Sequence, residues 1–390
     1  MNPGANNWSE STLASLGDLA RGKSKHRPRN DPKLFGGEYP FIQTSDIKNA
    51  NFYVNSYSET YNEAGLAQSK LWTKDTLCVT IAANIAESAL LSFPSCFPDS
   101  VVGFIENPEK SDVRFVKYAL DYYKKRYQQR SQGAAQDNLS LEKIESLKLK
   151  VPPVPVQKKI ADIIFAYDDF IENNEKRIKI LEEMAQRLYT EWFVKFKFPE
   201  YEKVKMADSP LGKIPEGWKA KKFGDLVQVK HGTTITKEKV AKGSIPVVAA
   251  GIEPAYFHNR SNVEGPVITV SASGANAGYL NIYYSDIWAS DCSYINKDAT
   301  PYFFYCYLFL KSKRQQIENL KRGSAQPHVY PNELMNMKVT AAEGIVKRIE
   351  EKVEPIFGLI GNLKQQISNL SKTRDLLIPQ LVTGRRELKS

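Results

Sequence analysis

Apolar residues recur at alternating intervals of four and three positions along two long stretches of the chain. The first stretch runs from Ile160 to Trp192, and the second, from Ile349 to Leu381, repeats it 189 residues later. Such intervals place apolar side chains on one narrow seam of a helix that packs against another helix. The pattern therefore predicts two long helices that pair as a coiled coil. The predicted seam consists of Ile160, Ile164, Tyr167, Ile171, Asn174, Ile178, Leu181, Leu188, Ile349, Val353, Ile356, Ile360, Leu363, Ile367, Leu370 and Leu377.

Charged residues such as Glu172, Lys176 and Arg177 flank the first seam. A narrow seam with charged flanks favours a coiled coil, although a core helix in an ordinary bundle would show a similar pattern. Asn174 interrupts the apolar seam. A buried polar residue at such a position is expected to cost stability and to fix the register of the pair.

The repeat extends beyond the helices. At an offset of 190, residues 133–136 (GAAQ) match 323–326 (GSAQ), and residues 147–149 (LKL) match 337–339 (MKV). A repeat of this size indicates a duplicated domain, because solenoid units span only about 20 to 50 residues. Two similar but non-identical domains on one chain suit a target made of two different halves.

Each half of the chain is predicted to be a globular domain followed by a long helix. The fold class is therefore α+β, with two similar mixed α/β domains separated by two long helices and related by a pseudo-twofold internal repeat. Both domains are expected to open alike, with the tripeptide GDL at 17–19 and at 224–226. The predicted boundaries are 1–150 for the first domain, 151–198 for the first helix, 199–217 for an ordered connector, 218–340 for the second domain and 341–390 for the second helix.

Short apolar runs bounded by Gly, Pro and Asn predict the strands of both domains. A helix is predicted from Ser111 to Arg130 with Ser111 as its N-cap, and another from Thr300-Pro301 through Leu320. The predicted strands are 39–42, 77–81, 101–105, 245–249, 267–270 and 279–283.

Composition narrows the class of protein. With 390 residues, 42% of them hydrophobic and 25% charged, the chain has the length and the polarity of a soluble two-domain protein. No run approaches the roughly 18 apolar residues of a membrane span, and the first ten residues lack the apolar core of a secretion signal. A cytoplasmic location without membrane contact is therefore expected. The scattered cysteines and the few histidines argue against a metal site or a disulfide framework.

The net charge of +10 and the pI near 9.1 suit a polyanionic partner. Cationic and amide side chains concentrate at matching places in both domains. Arg and Lys contact phosphates, whereas Arg, Gln and Asn can also form hydrogen bonds with base edges. Loops that contain glycine allow the backbone to approach a ligand closely. The candidate DNA-binding residues are Lys23, Lys25, Arg27, Arg29, Lys125, Arg126, Arg130, Gln132, Gln136, Lys230, His231, Thr233, Lys237, Ser273, Asn276, Lys321, Arg322, Gln326 and His328.

These clusters also have less specific interpretations. Each could be a solvated face, and Gln136 and Gln326 could equally serve to tie down their own loops. The sequence contains neither GxGxxG nor GxxxxGK[ST], and no Asn-Pro-Pro-aromatic tetrad of an adenine methyltransferase. Pro98-Asp99 lacks the Glu-x-Lys that a nuclease motif would need at short range. The chain is therefore expected to be non-catalytic and to hold no cofactor of its own.

The segment 152–218 carries the most specific motifs. It combines a Pro-Pro lead-in, Gln157 shortly before Ile160, and the stretch from Leu181-Glu182 to Trp192-Phe193, followed by LGKIPEGW. Together with LLIPQLVTG at 376–384, this segment resembles the conserved regions of the specificity (S) subunit of type I restriction-modification systems. The likeness covers the entire chain, strongly in the helices and weakly in the domains.

The resemblance implies two target recognition domains that each read one half of an asymmetric, bipartite site in double-stranded DNA. It implies that the helices form an antiparallel coiled coil, which sets the gap between the halves. It also implies that they dock two modification subunits, which bring S-adenosylmethionine and methylate adenine. Restriction subunits would then complete an endonuclease that depends on ATP and Mg. One segment departs from the family pattern: residues 339–344 lack the prolines present at 152, 153 and 155, so the second helix is expected to enter at a different angle.

Two other functions stay open at this point. The chain could be a coiled-coil scaffold whose basic faces bind acidic proteins, in which case its DNA binding would be salt-sensitive and indifferent to sequence. It could also be a self-sufficient nuclease or methyltransferase, which activity of the purified chain alone would establish.

Overall fold

The computed structural model describes residues 8–81, 87–130, 141–321, 327–386 and 388, with only the backbone for 125–130. The chain forms two compact units. The first comprises Met1–Asn174 with Gln366–Ser390, and the second comprises Glu175–Gln365. Because the unit boundaries fall inside the two long helices, each unit contains one globular domain and one segment of each long helix.

The first unit combines short strands and helices with the start of the first long helix. Its strands are β1 (Ser9–Thr12), β2 (Gly17–Arg21), β3 (Phe35–Phe41), β4 (Tyr53–Val54), β5 (Glu59–Tyr61), β6 (Leu77–Thr80), β7 (Ser88–Leu91), β8 (Val101–Glu106) and β9 (Lys148–Val151). Its helices are α1 (Leu13–Leu16), α2 (Thr44–Asn49), α3 (Glu63–Ala67), α4 (Val113–Arg130), α5 (Leu141–Glu145) and the long α6 (Val154–Tyr189). The main sheet has the order β2-β8-β6-β7-β4, and β4 runs parallel to β7.

The second unit has the same kind of composition. Its strands are β10 (Met206–Ser209), β11 (Gly212–Pro215), β12 (Lys219–Lys222), β13 (Lys230–His231), β14 (Ile245–Val248), β15 (Tyr256–His258), β16 (Val267–Ser271), β17 (Leu280–Tyr283), β18 (Trp288–Ala289), β19 (Cys292–Asn296) and β20 (Lys338–Ala341). Its helices are α7 (Phe303–Ser312), α8 (Arg314–Asn319), α9 (Pro331–Met335) and the long α10 (Glu343–Leu381). The main sheet has the order β13-β19-β16-β17, beside a three-stranded sheet β15-β14-β18.

The internal repeat is visible in the strand pairing of both domains. β1 pairs with β9 and β12 with β20 in the same antiparallel register, so that Ser9 faces Val151 and Lys219 faces Ala341. The sheet order β2-β8-β6-β7 likewise matches β13-β19-β16-β17. The predicted duplication of a mixed α/β domain is confirmed. In both domains the chain then leaves the returning strand directly into a long helix.

One detail of the predicted repeat is wrong. Leu13 and Phe223 follow β1 and β12 at the equivalent position, and each donates its N–H to the carbonyl just before the returning strand, at 3.0 and 2.8 Å. Gly17 and Gly224 are therefore not equivalent. Gly17 begins β2, whereas Gly224 lies in a 3-10 turn. The matching GDL tripeptides at 17–19 and 224–226 adopt different backbone conformations.

The six predicted strands are confirmed as β3, β6, β8, β14, β16 and β17. Residues in β6 and β8 are almost all buried, as continuous apolar runs in a covered sheet should be. The connector between the domains contains the hairpin β10–β11, which the sequence analysis did not predict. Strand β10 is largely exposed and β11 buries only Ile214 and Pro215, so neither strand has an alternating apolar pattern that could have indicated the hairpin.

The N-cap of α4 is Asp112, so the predicted cap at Ser111 is wrong. The carboxylate of Asp112 accepts hydrogen bonds from the N–H groups of Arg114 and Phe115, both at 3.1 Å. Ser111 is buried, and its hydroxyl donates to the carbonyl of Leu16 at 2.8 Å. Both residues are good caps by type, so the sequence could not decide between them. The hydroxyl of Ser111 is engaged with the end of α1, and the carboxylate of Asp112 caps α4.

The second predicted domain helix is also wrong in detail. The segment from Thr300 to Leu320 contains two helices, α7 and α8, separated at Lys313, and α7 begins only at Phe303. The Thr300 hydroxyl does accept a hydrogen bond from the N–H of Tyr302, at 3.1 Å. The helix proper is capped by a carboxylate from α10, which no local sequence pattern could indicate.

That carboxylate belongs to Glu350, which is 8% exposed and accepts hydrogen bonds from the N–H groups of Phe304 (3.0 Å) and Tyr305 (2.8 Å). Glu350→Ala would leave two buried donors without an acceptor. We expect it to lower the free energy of unfolding by about 2–4 kcal/mol, measured by urea denaturation. Glu354→Ala is the matched control, because Glu354 forms an exposed ion pair with Lys297 at 2.8 Å and its loss should cost below about 1 kcal/mol. Equal losses in both variants would contradict the capping role.

In the first unit, the start of α6 lies antiparallel to the end of α10. Asp168 and Arg374 form an ion pair at 2.6 Å, and the Asn174 amide donates to the side-chain oxygen of Gln366 at 3.3 Å. As the residue number increases along α6, the number of the contacting residue in α10 decreases, so the two helices are antiparallel. Asn174 is 5% exposed, so it is the buried polar seam residue that the sequence predicted.

In the second unit, the remainder of α6 packs with the start of α10 in one apolar core. Ile178 and Leu181 from α6 contact a core that contains Ile349, Val353 and Ile360 from α10. Each predicted seam residue of both helices is buried or half-buried. The predicted fold class, two similar mixed domains with paired long helices, is therefore confirmed.

Candidate nucleic-acid interface

In the second domain, three loops meet at one end of the main sheet. The loop after β13 is held at Thr233, whose N–H donates to the carbonyl of Ala289 at 2.9 Å. The loop after β16 is held at Ala272, which donates its N–H to the Asp291 carbonyl (3.3 Å) and accepts from the N–H of Val329 (2.9 Å). The strand-like segment at 327–330 therefore lies beside the loop after β16. The structure thus brings together segments that are far apart in the sequence.

Several predicted site residues lie in these loops. Ser273 forms an isolated β-bridge with His328, and its hydroxyl hydrogen-bonds the carboxylate of Asp291. The His328 ring stacks on Tyr330, with centroids 5.6 Å apart and an angle of 7° between the planes. Asn276 is half-buried in the same loop as Ser273. Tyr330 is 49% exposed and was not among the predicted residues.

The cationic candidates of the second domain are mostly exposed. Lys230 and His231 form β13 at the edge of the main sheet, directly before the loop that holds Thr233. Lys237 is exposed in a 3-10 turn further along that loop. Lys321 is half-buried and forms an ion pair with Glu318 on the preceding helix, so it is the least available of these cations.

The basic loop of the first domain occupies the equivalent end of its own sheet. Gly22 donates its N–H to the Val101 carbonyl, and Ile81 donates to the Ser100 carbonyl, both at 2.9 Å. The contact of Ile81 with Ser100 corresponds to that of Ala272 with Asp291 in the second domain. The loop at 22–31 therefore matches the loop after β13, and the two predicted basic clusters share one structural position.

This loop is fixed by several hydrogen bonds to its surroundings. The Ser69 hydroxyl donates to the Lys23 carbonyl at 2.8 Å, and the N–H of His26 donates to the side chain of Gln68 at 3.0 Å. The His26 ring contacts the Asp31 carboxylate at 2.9 Å. Hydrogen bonds to backbone and to His26 hold the pKa of Asp31 below its usual value. Lys23 and Lys25 are exposed on this fixed backbone.

Arg27 and Arg29 share one carboxylate that the sequence analysis did not connect with them. Arg29 Nη2 lies 2.6 and 2.8 Å from the two oxygens of Asp99, and Arg27 Nη2 lies 3.9 Å from one of them. In the sequence, Asp99 is part of a Pro-Asp pair that lacks the rest of a nuclease motif. Because it lies 70 residues from Arg29, sequence alone offered no signal for the pairing.

The side chains of the other candidate DNA-binding residues are not described by the structure. Gln132, Gln136, Arg322 and Gln326 lie outside the described residues. Lys125, Arg126 and Arg130 belong to the backbone of α4, whose last described side chain is that of Lys124.

Within the described part of the chain, no group of His, Cys, Asp and Glu side chains is arranged to hold a metal ion. The four cysteines are free and buried, and burial raises the pKa of the Cys78 thiol well above its usual range. No helix among the described residues is both long and apolar enough to cross a membrane.

Two similar mixed domains with basic loops at equivalent sheet ends, each continuing into a long paired helix, define a duplicated nucleic-acid recognition protein. The family model described as type I restriction modification DNA specificity domain matches residues 6–183 and 215–341. The chain belongs to this family. The resemblance that segments 152–218 and 376–384 indicated is therefore confirmed.

Relatives of the same description match along nearly the whole chain. The specificity subunit of the type I restriction enzyme MjaIX from Methanocaldococcus jannaschii is 24% identical over 407 residues, covering 97% of this chain and 93% of the relative. The MjaVIII specificity subunit from the same organism is 19% identical over 381 residues, covering 91% and 87%. The crystal structure of a type I S subunit from Mycoplasma genitalium has a TM-score of 0.65 at 18% identity, covering 100% of this chain and 99% of that one.

The chain is therefore a DNA-recognition component of a multisubunit type I restriction-modification system. Specificity subunits are the non-catalytic members of these systems and carry no cofactor themselves. The similarity to the solved structure, at 18% identity, concerns the fold.

Proposed function

We propose that the chain reads one asymmetric, bipartite site in double-stranded DNA, with the first domain (1–150) on one half and the second domain (218–340) on the other. The observation that carries the proposal is the position of the basic loops. Both lie at the same end of equivalent sheets, although their sequences differ. Equivalent positions with different side chains suit two related domains that read different base sequences.

The loop residues divide into two chemical groups. Exposed lysines such as Lys23, Lys25 and Lys230 suit phosphate contacts, which hold a duplex in place without reading it. Side chains with paired donors and acceptors suit base edges. In the second domain, His328 lies where the segment at 327–330 meets the loop after β16, beside Ser273, which is buried and bonded to Asp291. The remaining predicted candidates on these loops are proposed as contacts of one kind or the other.

The long helices, at 151–198 and 341–390, are proposed to set the gap between the half-sites. The connector 199–217 joins the first of them to the second domain. The helices are also proposed to dock two modification subunits, which would bind S-adenosylmethionine and methylate adenine. Large apolar side chains remain exposed on the helices: Phe170 (61%), Leu376 (68%), Ile180 (56%) and Met184 (53%). Exposed apolar side chains on a helix suit a protein partner.

Restriction subunits that use ATP and Mg are proposed to join the same assembly and to supply the endonuclease. The place of the complex would be the cytoplasm, where the DNA of a prokaryotic cell lies. In this scheme every chemical step belongs to a partner, and this chain decides where on the DNA the step occurs.

Selection from a library of randomised DNA duplexes, with the chain in complex with its modification subunit, tests the proposal. Sequencing of the bound duplexes should give two conserved blocks separated by a gap of fixed length. The selection should be repeated over a series of salt concentrations, because phosphate contacts weaken as salt rises whereas base discrimination persists. Salt-sensitive binding without any conserved block would instead favour a scaffold with basic faces.

A further inference from the structure

We propose that Arg29, oriented by Asp99, reads a guanine in the half-site bound by the first domain. The inference rests on the proposed function and adds to it the class of base that this domain recognises. It depends on three features of the loop at 22–31: the geometry of the ion pair, the rigidity of the backbone, and the local balance of charge.

The ion pair engages only one nitrogen of the guanidinium group. Arg29 Nη2 contacts both carboxylate oxygens of Asp99, at 2.6 and 2.8 Å. Arg29 Nη1 and Nε make no hydrogen bond with the residues that the structure describes. The side chain is 49% exposed. The guanidinium is therefore fixed at one nitrogen and keeps donors for a ligand that approaches from solvent.

The backbone that carries Arg29 is fixed as well. Arg27 donates from Nη1 to the carbonyls of Ser24 (2.5 Å) and His26 (2.8 Å), which closes the loop on itself. Further hydrogen bonds tie the loop to Gln68 and Ser69. A donor whose backbone and side chain are already ordered loses less entropy on binding, so it can discriminate between ligands more sharply.

The local charge favours a base edge over a phosphate. Asp99 offsets part of the positive charge of Arg27 and Arg29, and it would repel a phosphate placed against the Arg29 side chain. On the same loop, Lys23 and Lys25 are exposed, and no carboxylate among the described residues forms an ion pair with them. Those lysines suit the phosphates. Guanine presents two acceptors in the major groove, N7 and O6, which match a pair of arginine donors. For Arg29 that pair is Nη1 together with the one Nη2 hydrogen that Asp99 does not accept.

Two substitutions of Arg29 test the assignment in the complex with the modification subunit. Methylated adenines are mapped by sequencing chromosomal DNA from a host without other adenine methylation. Arg29→Lys keeps the charge but removes the paired donors. We expect Arg29→Lys and Arg29→Ala to lower discrimination at one guanine position by about 10- to 100-fold. The other positions of that half-site and the entire second half-site should keep their bases.

Lys25→Ala is the matched control, because it removes the same charge from the same loop without removing paired donors. It should reduce methylation at all sites alike and leave the conserved bases unchanged. Thermal unfolding of each variant identifies a general loss of structure, and Arg29→Lys keeps the test valid if Arg29→Ala unfolds.

Two results would overturn the inference while leaving the proposed function intact. One is a wild-type split site without guanine in the half that the first domain reads. The other is an unchanged guanine preference in both folded Arg29 variants. A wild-type complex that methylates no split site at all would overturn the proposed function, and the inference with it.

Discussion

Arg374→Met is expected to lower the free energy of unfolding of the first unit by about 2–4 kcal/mol. Arg374 pairs with Asp168 at 2.6 Å, and the two side chains are only 25% and 15% exposed. Tyr118 donates its hydroxyl to the same carboxylate at 2.5 Å. Removal of the arginine leaves a largely buried carboxylate with one neutral partner. Thermal and urea unfolding of the purified chain measure the loss.

The second unit suggests how the loss can be repaired. By the 189-residue repeat, Asp168 corresponds to Phe357 and Arg374 to Ala185, which are both buried apolar residues. An apolar pair is therefore compatible with this fold, and Asp168→Leu combined with Arg374→Met should recover much of the lost stability. Tyr118→Phe is added to the combination, because Asp168→Leu would otherwise leave the buried Tyr118 hydroxyl without its acceptor. A combined variant no more stable than Arg374→Met would show that the ion pair does more than satisfy its own charges. The exposed pair of Lys297 and Glu354 provides the comparison, since Glu354→Gln should change stability by below about 1 kcal/mol.

Lengthening both long helices by one heptad is expected to abolish methylation of the original site and to create a site with a longer gap. The heptads would be inserted after Asn174 in α6 and before Gln366 in α10, where the two side chains meet at 3.3 Å. Seven residues add roughly 10 Å of helix, which corresponds to about three base pairs of duplex. Both half-sites should keep their bases, because neither domain is altered. Maps of methylated adenines measure both effects.

A heptad inserted in α6 alone is the control for this experiment. It would shift the seam of α6 relative to that of α10 and should destabilise the chain without defining a new gap. Two results would contradict the proposal that the helices set the gap. In one, the variant with both insertions folds normally and its complex still methylates the original site. In the other, the variant stays folded but both half-sites are lost.

The seams were predictable because they repeat a physical rule over many turns. Side chains such as Ile164 and Val353 recur at the spacing that one helix face requires, and the same spacing appears in both halves of the chain. Strands such as β6 and β16 were predictable for a related reason, since an apolar run between turn residues fits a buried strand. Asn174 was detectable because it breaks an otherwise apolar series.

Features that depend on contacts between distant segments could not be predicted. Asp99 reaches Arg29 across 70 residues, and Glu350 caps α7 from another helix. Asp112 is the N-cap of α4 because its carboxylate accepts a hydrogen bond from Phe115, whereas the hydroxyl of Ser111 bonds to Leu16. The false match of Gly17 with Gly224 shows the opposite error, in which similar letters occupy different structures. Local identity over a few residues is weaker evidence than matched strand pairing.

The central claim is that one chain reads two different half-sites at a fixed separation. A map of methylated adenines made by the wild-type chain with its modification subunit, in DNA that is otherwise unmethylated, tests this claim most directly. The account predicts a single motif of two unlike blocks separated by a constant number of unspecified base pairs. A contiguous motif without such a gap would contradict it.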